Sequence, residues 1–291
     1  MFTGVGQMWF GSSGAVLNAT VSTLTINAST LPSTSSEAAM RFSNAQNCSF
    51  NNNQLLGHAN GAVPAVFFEG GSNNQLSHNA ITSSLGGAPL QLQPLGGTPN
   101  SGFVVTQNTF DSTNLLLIGL SNCQVTNNSF NNRTLGNTIG IEVCGPWTGA
   151  SQNITIDSNT LDATVGGWNG AVISGIENDP GGQSNINGFT ITNNIVKGTG
   201  AVIAVQTYTP DNNLADPALG TKTNVTITGN QLSSLWGGST IDIRGGTYGS
   251  VDKVFVESNT LQNSAGKQNV ILQDAHTTNA TILNQGLMST R

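Results

Sequence analysis

Asn153-Ile154-Thr155-Ile156-Asp157-Ser158-Asn159-Thr160-Leu161 decides the fold. It is apolar at 154 and 156, polar at 155 and 157, and after Asn159 it is apolar again at 161. The phrase recurs at Phe189–Val196, Val225–Leu232 and Val254–Leu261, and upstream at Cys123–Phe130, Phe103–Phe110, Asn74–Ile81, Cys48–Leu55 and Leu24–Leu31. Ala280–Leu287 gives a weaker last copy. With the Asn of each copy as anchor, the series is Ser29, Asn53, Asn79, Asn108, Asn128, Asn159, Asn194, Asn230, Asn259 and Gln285. The steps between successive anchors are unequal, shortest from Asn108 to Asn128 and longest from Asn194 to Asn230. All of them fall within the roughly 20–50 residue periods that mark a solenoid, in which a repeat buries its apolar face only against its neighbours.

The columns support this reading. Three residues before the anchor stand Ile26, Phe50, Leu76, Val105, Val125, Ile156, Ile191, Ile227, Val256 and Ile282. The columns five before and two after are also apolar or Cys, apart from Asn74 and Ala280. Period-two alternation turns these residues inward and the intervening Thr, Ser, Asn and Gln outward. The anchor breaks the alternation as a corner residue would, because Asn tolerates left-handed backbone and bonds to nearby peptide groups. Stacked anchors would also form an amide ladder.

A second apolar strand family lies between anchors, as in Ala65-Val66-Phe67-Phe68-Glu69, Gly140-Ile141-Glu142-Val143-Cys144, Ala201-Val202-Ile203-Ala204-Val205-Gln206 and Thr240-Ile241-Asp242-Ile243-Arg244. With a short third strand, each coil closes into an all-β, single-stranded parallel β-helix of about ten coils. One domain spans 1–291, with regular coils over about 20–288. The late start of the first copy suggests an excised or mature fragment. Strand spacing of about 4.8 Å makes the rod roughly 45–50 Å long.

Composition narrows the function. Of 291 residues 8% are charged, and the net charge is −6. Without a basic stripe, nucleic acid is not an expected partner. The longest apolar run, Leu115 to Leu120, is too short to span a bilayer. No signal peptide is visible in Met1 to Phe10. Cys48 and Cys123 fall in one interior column three coils apart, about 14 Å, too far to bond. Small apolar filling explains them better. His58, His78 and His276 show no metal-ligand spacing and read as solvated surface.

These repeats resemble the right-handed parallel β-helix superfamily typified by pectate lyases, and more closely its generic Asn-rich repeat proteins, with coils of the form N-[VI]-T-I-x-x-N-x-[FL]. The resemblance implies a polysaccharide or oligosaccharide partner and a secreted or cell-surface location. It also implies one of three activities: glycoside hydrolase, polysaccharide lyase, or non-catalytic adhesin or tailspike-like stalk. Trimerisation, common in such rods, stays open. The paired Asp-Asp with Gly-His-Gly of polygalacturonase-like hydrolases and the Asp-Pro-His of alginate epimerases are both missing from the sequence.

The second strand family is the face to search, since its outward positions read as Glu69, Gln91, Gln93, Glu142, Ser174, Gln206, Asp242, Arg244 and Gln273. Beside it, loops in the second half carry Trp147, Trp168, Tyr208 and Trp236, whose rings would stack on sugars or pack the loops to the rod. Glycoside hydrolysis needs two carboxyl groups, roughly 5 Å apart for retention and 6.5–9.5 Å for inversion. Glu142 with Glu177 or Asp179 of the next coil is the expected catalytic pair. Asp242, Arg244 and Gln206 are expected to bind substrate. Arg244 reads as the sole cation on this face. No cofactor is expected, although calcium on Glu177 and Asp179 would suit hard oxygen ligands.

Overall fold

The computed structural model describes residues 8–11, 14–32, 34, 38–57, 63–83, 90–95, 100–131, 140–144, 150–164, 172–175, 185–206, 220–235, 239–245, 249–263, 271–273 and 275–287. The strands of successive coils pair in parallel and in register, and the chain winds as a right-handed parallel β-helix. Right-handed winding is the normal crossover sense for parallel strands. Each coil contributes three strands. We call their stacks row A, the strand family between anchors; row B, the strand before the anchor; and row C, the strand after it.

Row A runs Met8–Phe10, Met40, Val66, Leu90–Gln93, Leu115–Ile118, Ile141–Cys144, Ile173–Gly175, Ile203–Gln206, Ile241–Arg244 and Ile271–Gln273, naming Met40–Gln46 and Val66–Ser72 by their first residues. Met40–Gln46 and Val66–Ser72 turn the corner from A to B without a break, so the two rows form one 22-stranded sheet among the described residues. Row C is a separate 10-stranded sheet.

The interior follows from the alternation. Ile156, Ile191, Ile227 and Val256 stack in consecutive register, each fully buried. Phe42 stacks between Phe10 and Phe68 with ring centroids 4.9 and 4.5 Å away, and Phe110 lies 4.3 Å from Phe130. These offsets match the rung spacing, so aromatic side chains in one column meet face to face. Asn74, the polar exception, is buried and satisfied: its Oδ1 accepts from the Cys48 N–H and its Nδ2 donates to the Ala45 carbonyl.

The anchors form the ladder. Asn194 Oδ1 accepts from both the backbone N–H and the Nδ2 of Asn159, at 2.9 and 3.0 Å. Asn194 in turn offers its N–H and Nδ2 to Asn230 Oδ1, at 2.9 and 3.0 Å. Its Nδ2 also reaches the carbonyls of Ile156 and Thr192. The pattern repeats from Asn53 to Asn259, all buried. Gln285 Oε1 continues it by accepting from Asn259 Nδ2.

Two expectations need correction. The left-handed corner residue is not the anchor but the residue before it: Asn52, His78, Gln107, Asn127, Ser158, Asn193 and Ser258 all have φ between 54° and 56°. Turning that residue outward frees the next side chain to point into the ladder. Gly229 holds this place in its coil with φ +67, and a Cβ there would lie 2.7 Å from Asn193 Oδ1. The first coil is also shifted by five residues. Val21 pairs with Phe50 and Ile26 with Leu55, so Leu24 takes the anchor position and its N–H donates to Asn53 Oδ1. Ser29, read as the first anchor, instead sits in a 3-10 turn, Ala28–Thr30, capped by Asn27 Oδ1.

Outside, rows B and C carry polar side chains that bond between rungs. Asp157 accepts from Thr192 Oγ1, Asn193 Nδ2 and Ser158 Oγ. Partial burial acts to raise its pKa, but these three donors together hold it below the ordinary carboxylate value.

Asn194→Ala removes the acceptor of the buried Asn159 N–H, while Asn159 Nδ2 keeps its bonds to the Val125 and Asp157 carbonyls. With one buried donor orphaned, the loss is expected to be about 1–3 kcal/mol. Gln285→Ala, at the solvated end, is expected to lose less than about 1 kcal/mol. Urea unfolding of both variants checks the contrast.

Candidate functional site

The outward side chains of row A form two parallel columns. Register places Trp9, Arg41, Phe67, Gln91, Leu116, Glu142, Ser174, Ala204 and Asp242 in the first. The second holds Ser43, Glu69, Gln93, Ile118, Cys144, Gln206 and Arg244.

The face divides along its length. Trp9 is 49% exposed, and Arg41, Phe67, Gln91, Leu116 and Glu142 are half-buried. Beyond Glu142 the first column closes: Ser174 is 8% exposed, Ala204 2% and Asp242 6%. Gln206 and Glu69, read from the sequence as exposed, are buried as well. Alternation assigns the direction in which a side chain points, and says nothing of what other parts of the chain lie over it. In the first column the accessible side chains among the described residues are therefore those of the N-terminal half, while in the second column Arg244 keeps 37% of its side chain exposed.

The charges are paired selectively. Arg41 forks onto Glu69, with Nε to Oε2 at 2.5 Å and Nη2 to Oε1 at 2.6 Å. Gln93 Nε2 also reaches Glu69 Oε1, at 3.4 Å. The Arg41 guanidinium lies over Trp9 at 5.0 Å and over Phe67 at 5.5 Å. Trp9 Nε1–H donates to Ser43 Oγ at 2.8 Å, which fixes the indole. At the other end Arg244 forks onto Asp242, with bonds of 2.8 and 2.6 Å. Bidentate pairs of this kind fix geometry as well as charge.

Arg41 corrects the expectation that Arg244 is the sole cation here. Trp9, Arg41 and Phe67 were missed because Met8-Trp9-Phe10 and Met40-Arg41-Phe42 lie outside the anchor phrase. Their shared apolar–outward–apolar pattern was the available signal.

Glu142 differs from the other two carboxylates. It has Leu116 on one side and Ser174 on the other, and it accepts a weak bond from Cys144 Sγ at 3.8 Å. Burial pushes its carboxyl above the ordinary value, outweighing the lowering effect of the Cys144 contact. Its expected partners Glu177 and Asp179 lie outside the described residues, as do Trp147, Trp168, Tyr208 and Trp236.

Of the remaining expected site residues, Asp242 stands three rungs from Glu142. Three rungs at strand spacing make about 14 Å, beyond the span of a glycosidase pair. Glu69 is three rungs away on the other side. On row C, Asp111 and Asp162 stand two rungs apart with Asn131 between them. Asp162 there accepts from the N–H and Oγ1 of Thr164, which closes a local turn.

Among the described residues no group of three or more His, Cys, Asp or Glu is placed to hold a metal. His78 and His276 are exposed, as expected, and His58 lies outside the described residues. No disulfide joins Cys48, Cys123 or Cys144. None of the described helices is long and apolar enough to cross a membrane.

No protein-family model and no curated protein matches the sequence. Solved structures do. A hyperthermoactive exopolygalacturonase from Thermotoga maritima is 12% identical with a TM-score of 0.62, over 85% of this chain and 55% of that one. PfbA, a surface adhesin of Streptococcus pneumoniae, is 14% identical with a TM-score of 0.60, over 97% and 70%. The A-module of the mannuronan C-5 epimerase AlgE6 from Azotobacter vinelandii is 13% identical with a TM-score of 0.50, over 98% and 78%. The chain thus spans about half the length of the exopolygalacturonase. At these identities the likeness establishes the fold: the chain is a right-handed parallel β-helix.

The thiols report on the packing. Burial pushes the Cys123 thiol up to about 12, while Cys144 is half-buried on the outer face. At pH 8 a thiol-labelling reagent is expected to modify Cys144 first in the folded protein and Cys123 only on unfolding. Mass spectrometry of the labelled peptides reads the order.

Proposed function

We propose that this protein is an extracellular glycoside hydrolase acting on a polysaccharide laid along the open half of row A, with Glu142 as its proton donor. The observation that carries the reading is the unequal treatment of three carboxyl groups on one face. Glu69 and Asp242 are each locked to an arginine, whereas Glu142 is held without a cation among the described residues and is raised by burial. A general acid needs this environment, because it must keep its proton at working pH and release it to a leaving oxygen. The second carboxyl group of the reaction is assigned to Glu177 or Asp179, which follow in the sequence shortly after Ser174, the rung neighbour of Glu142. The similar folds are compatible with this reading, since one is named as an exopolygalacturonase.

A second reading is favoured by a different observation. Among the described residues of this face, Glu69 and Asp242 are the nearest carboxyl groups to Glu142, and each is three rungs off. Neither comes within the reach of a catalytic pair. One similar fold is also named as a surface adhesin. On that reading the face binds glycan without cleaving it.

Glu142→Gln separates the two. For a hydrolase, kcat on the accepted polysaccharide is expected to fall about 10²- to 10⁴-fold with KM little changed. In the wild type, kcat is expected to decline as pH rises through the raised Glu142 pKa. Undiminished turnover in the variant removes Glu142 from the reaction, and absence of turnover on a broad polysaccharide panel favours the adhesin-like reading.

Stability gives an independent check with a definite sign. A carboxyl group raised in the folded state binds more protons folded than unfolded. It therefore disfavours the folded state as pH climbs above its ordinary value of 4.5 towards the folded one. Glu142→Gln is expected to match the wild type below that range and to unfold at higher temperature at pH 8.

A further inference from the structure

We infer that the ligand of the open half of row A is a neutral glycan rather than a polyuronate, and that Trp9 is its outermost stacking platform. This inference rests on the polysaccharide reading above and narrows it.

The strip runs five rungs from Trp9 to Glu142. At strand spacing that is about 24 Å, long enough to seat several sugar rings in a row. It opens on an indole whose polar end is fixed by Ser43 and which keeps half of its surface free. Phe67 follows two rungs on, and Gln91 after it, hydrogen-bonded through Nε2 to Gln93 Oε1 at 2.9 Å. A fixed aromatic surface followed by uncharged amides suits a ligand with apolar C–H faces and hydroxyl edges.

The charge arrangement selects against carboxylated sugars. Arg41 is the one cation of the strip among the described residues. It is held between two aromatic rings and forked onto Glu69, itself only 4% exposed. Turning Arg41 towards a uronate would leave Glu69 buried without its counter-charge, and breaking a buried pair in this way is strongly unfavourable.

The other described cations lie elsewhere. Arg244 is committed to Asp242, Lys197 is on row C, Lys253 is at the A–B corner and Lys222 is fully buried. Glu142, at the far end of the strip, repels a uronate whenever it is ionised. A polyuronate would thus approach a chain of net charge −6 and find Arg41 already committed along the strip.

Affinity electrophoresis of the intact chain tests this, with neutral galactan, arabinan and mixed-linkage glucan set against polygalacturonate and alginate, at low and at about 0.5 M salt. The expected result is retardation by at least one neutral glycan, unchanged by salt, and by neither polyuronate. Trp9→Ala is expected to weaken that retardation about tenfold or more. Trp9→Phe keeps a ring without the Ser43 bond and is expected to stay within about threefold. Near-ultraviolet circular dichroism reports whether each variant keeps its packing, and if Trp9→Ala does not, Phe67→Ala takes its place.

Salt-sensitive binding of a polyuronate overturns the inference. So does neutral binding indifferent to both aromatic substitutions, or no binding at all. Neutral binding that follows Trp9 without turnover leaves this inference standing and removes the hydrolase. Turnover of a polyuronate that depends on Glu142 does the reverse.

Discussion

Everything in this molecule depends on a row of buried side-chain amides running the length of the rod. Each anchor Asn offers one oxygen to two donors of the preceding coil and sends its own nitrogens to the next anchor and to neighbouring carbonyls. A buried amide without such partners would carry the desolvation penalty of several polar atoms. The ladder therefore fixes register absolutely: a coil displaced by one residue would orphan every donor at the corner and turn its apolar column into water. It also explains how coils as unequal as Asn108 to Asn128 and Asn194 to Asn230 stack on one axis. The length difference between these two falls between row A and row B, from Gln206 to Thr221 in the longer coil against Ile118 to Leu120 in the shorter.

Rigidity of this kind leaves the outer faces free to differ. Rows B and C use theirs for rung-to-rung hydrogen bonding, as at Asp157 and Asn153, which stabilises the rod and offers little to a partner. Row A carries Trp9, Phe67 and both described arginines, together with Glu69, Glu142 and Asp242. There both described arginines are tied up, and one carboxyl group is held apart, partly desolvated and next to a thiol. Such pairing adds little to net stability, because forming it means taking both charges out of water. What it does is set the charge of the surface a ligand meets.

The fold was legible because its signal is repeated. One coil of apolar–polar alternation is ambiguous, but Ile156, Ile191, Ile227 and Val256 with Asn159, Asn194, Asn230 and Asn259 after them admit one arrangement. Where the repeat weakens, so did the reading. At the N-terminus Leu24 stands in for the missing Asn, and Asn27-Ala28-Ser29 imitates an anchor while making a capped 3-10 turn. The site was less legible for a different reason. Alternation assigns Ser174, Gln206 and Asp242 to the outer face correctly, yet all three are buried. The pairing of Arg41 with Glu69 joins residues of two different coils, through a rung whose strand the anchor phrase does not contain.

The central claim is that the anchor amides, more than the apolar columns alone, hold the coils in register. Hydrogen exchange measured by NMR addresses it directly, because the backbone N–H of Asn128, Asn159 and Asn194 each donates to a side-chain oxygen of the following coil. The account requires these amides to exchange only through global unfolding, with the same denaturant dependence as the N–H groups of Ile156 and Ile191. Exchange of the anchor amides by local opening, at rates like those of the exposed Asn153 and Asn224, while the apolar columns stay protected, would contradict it.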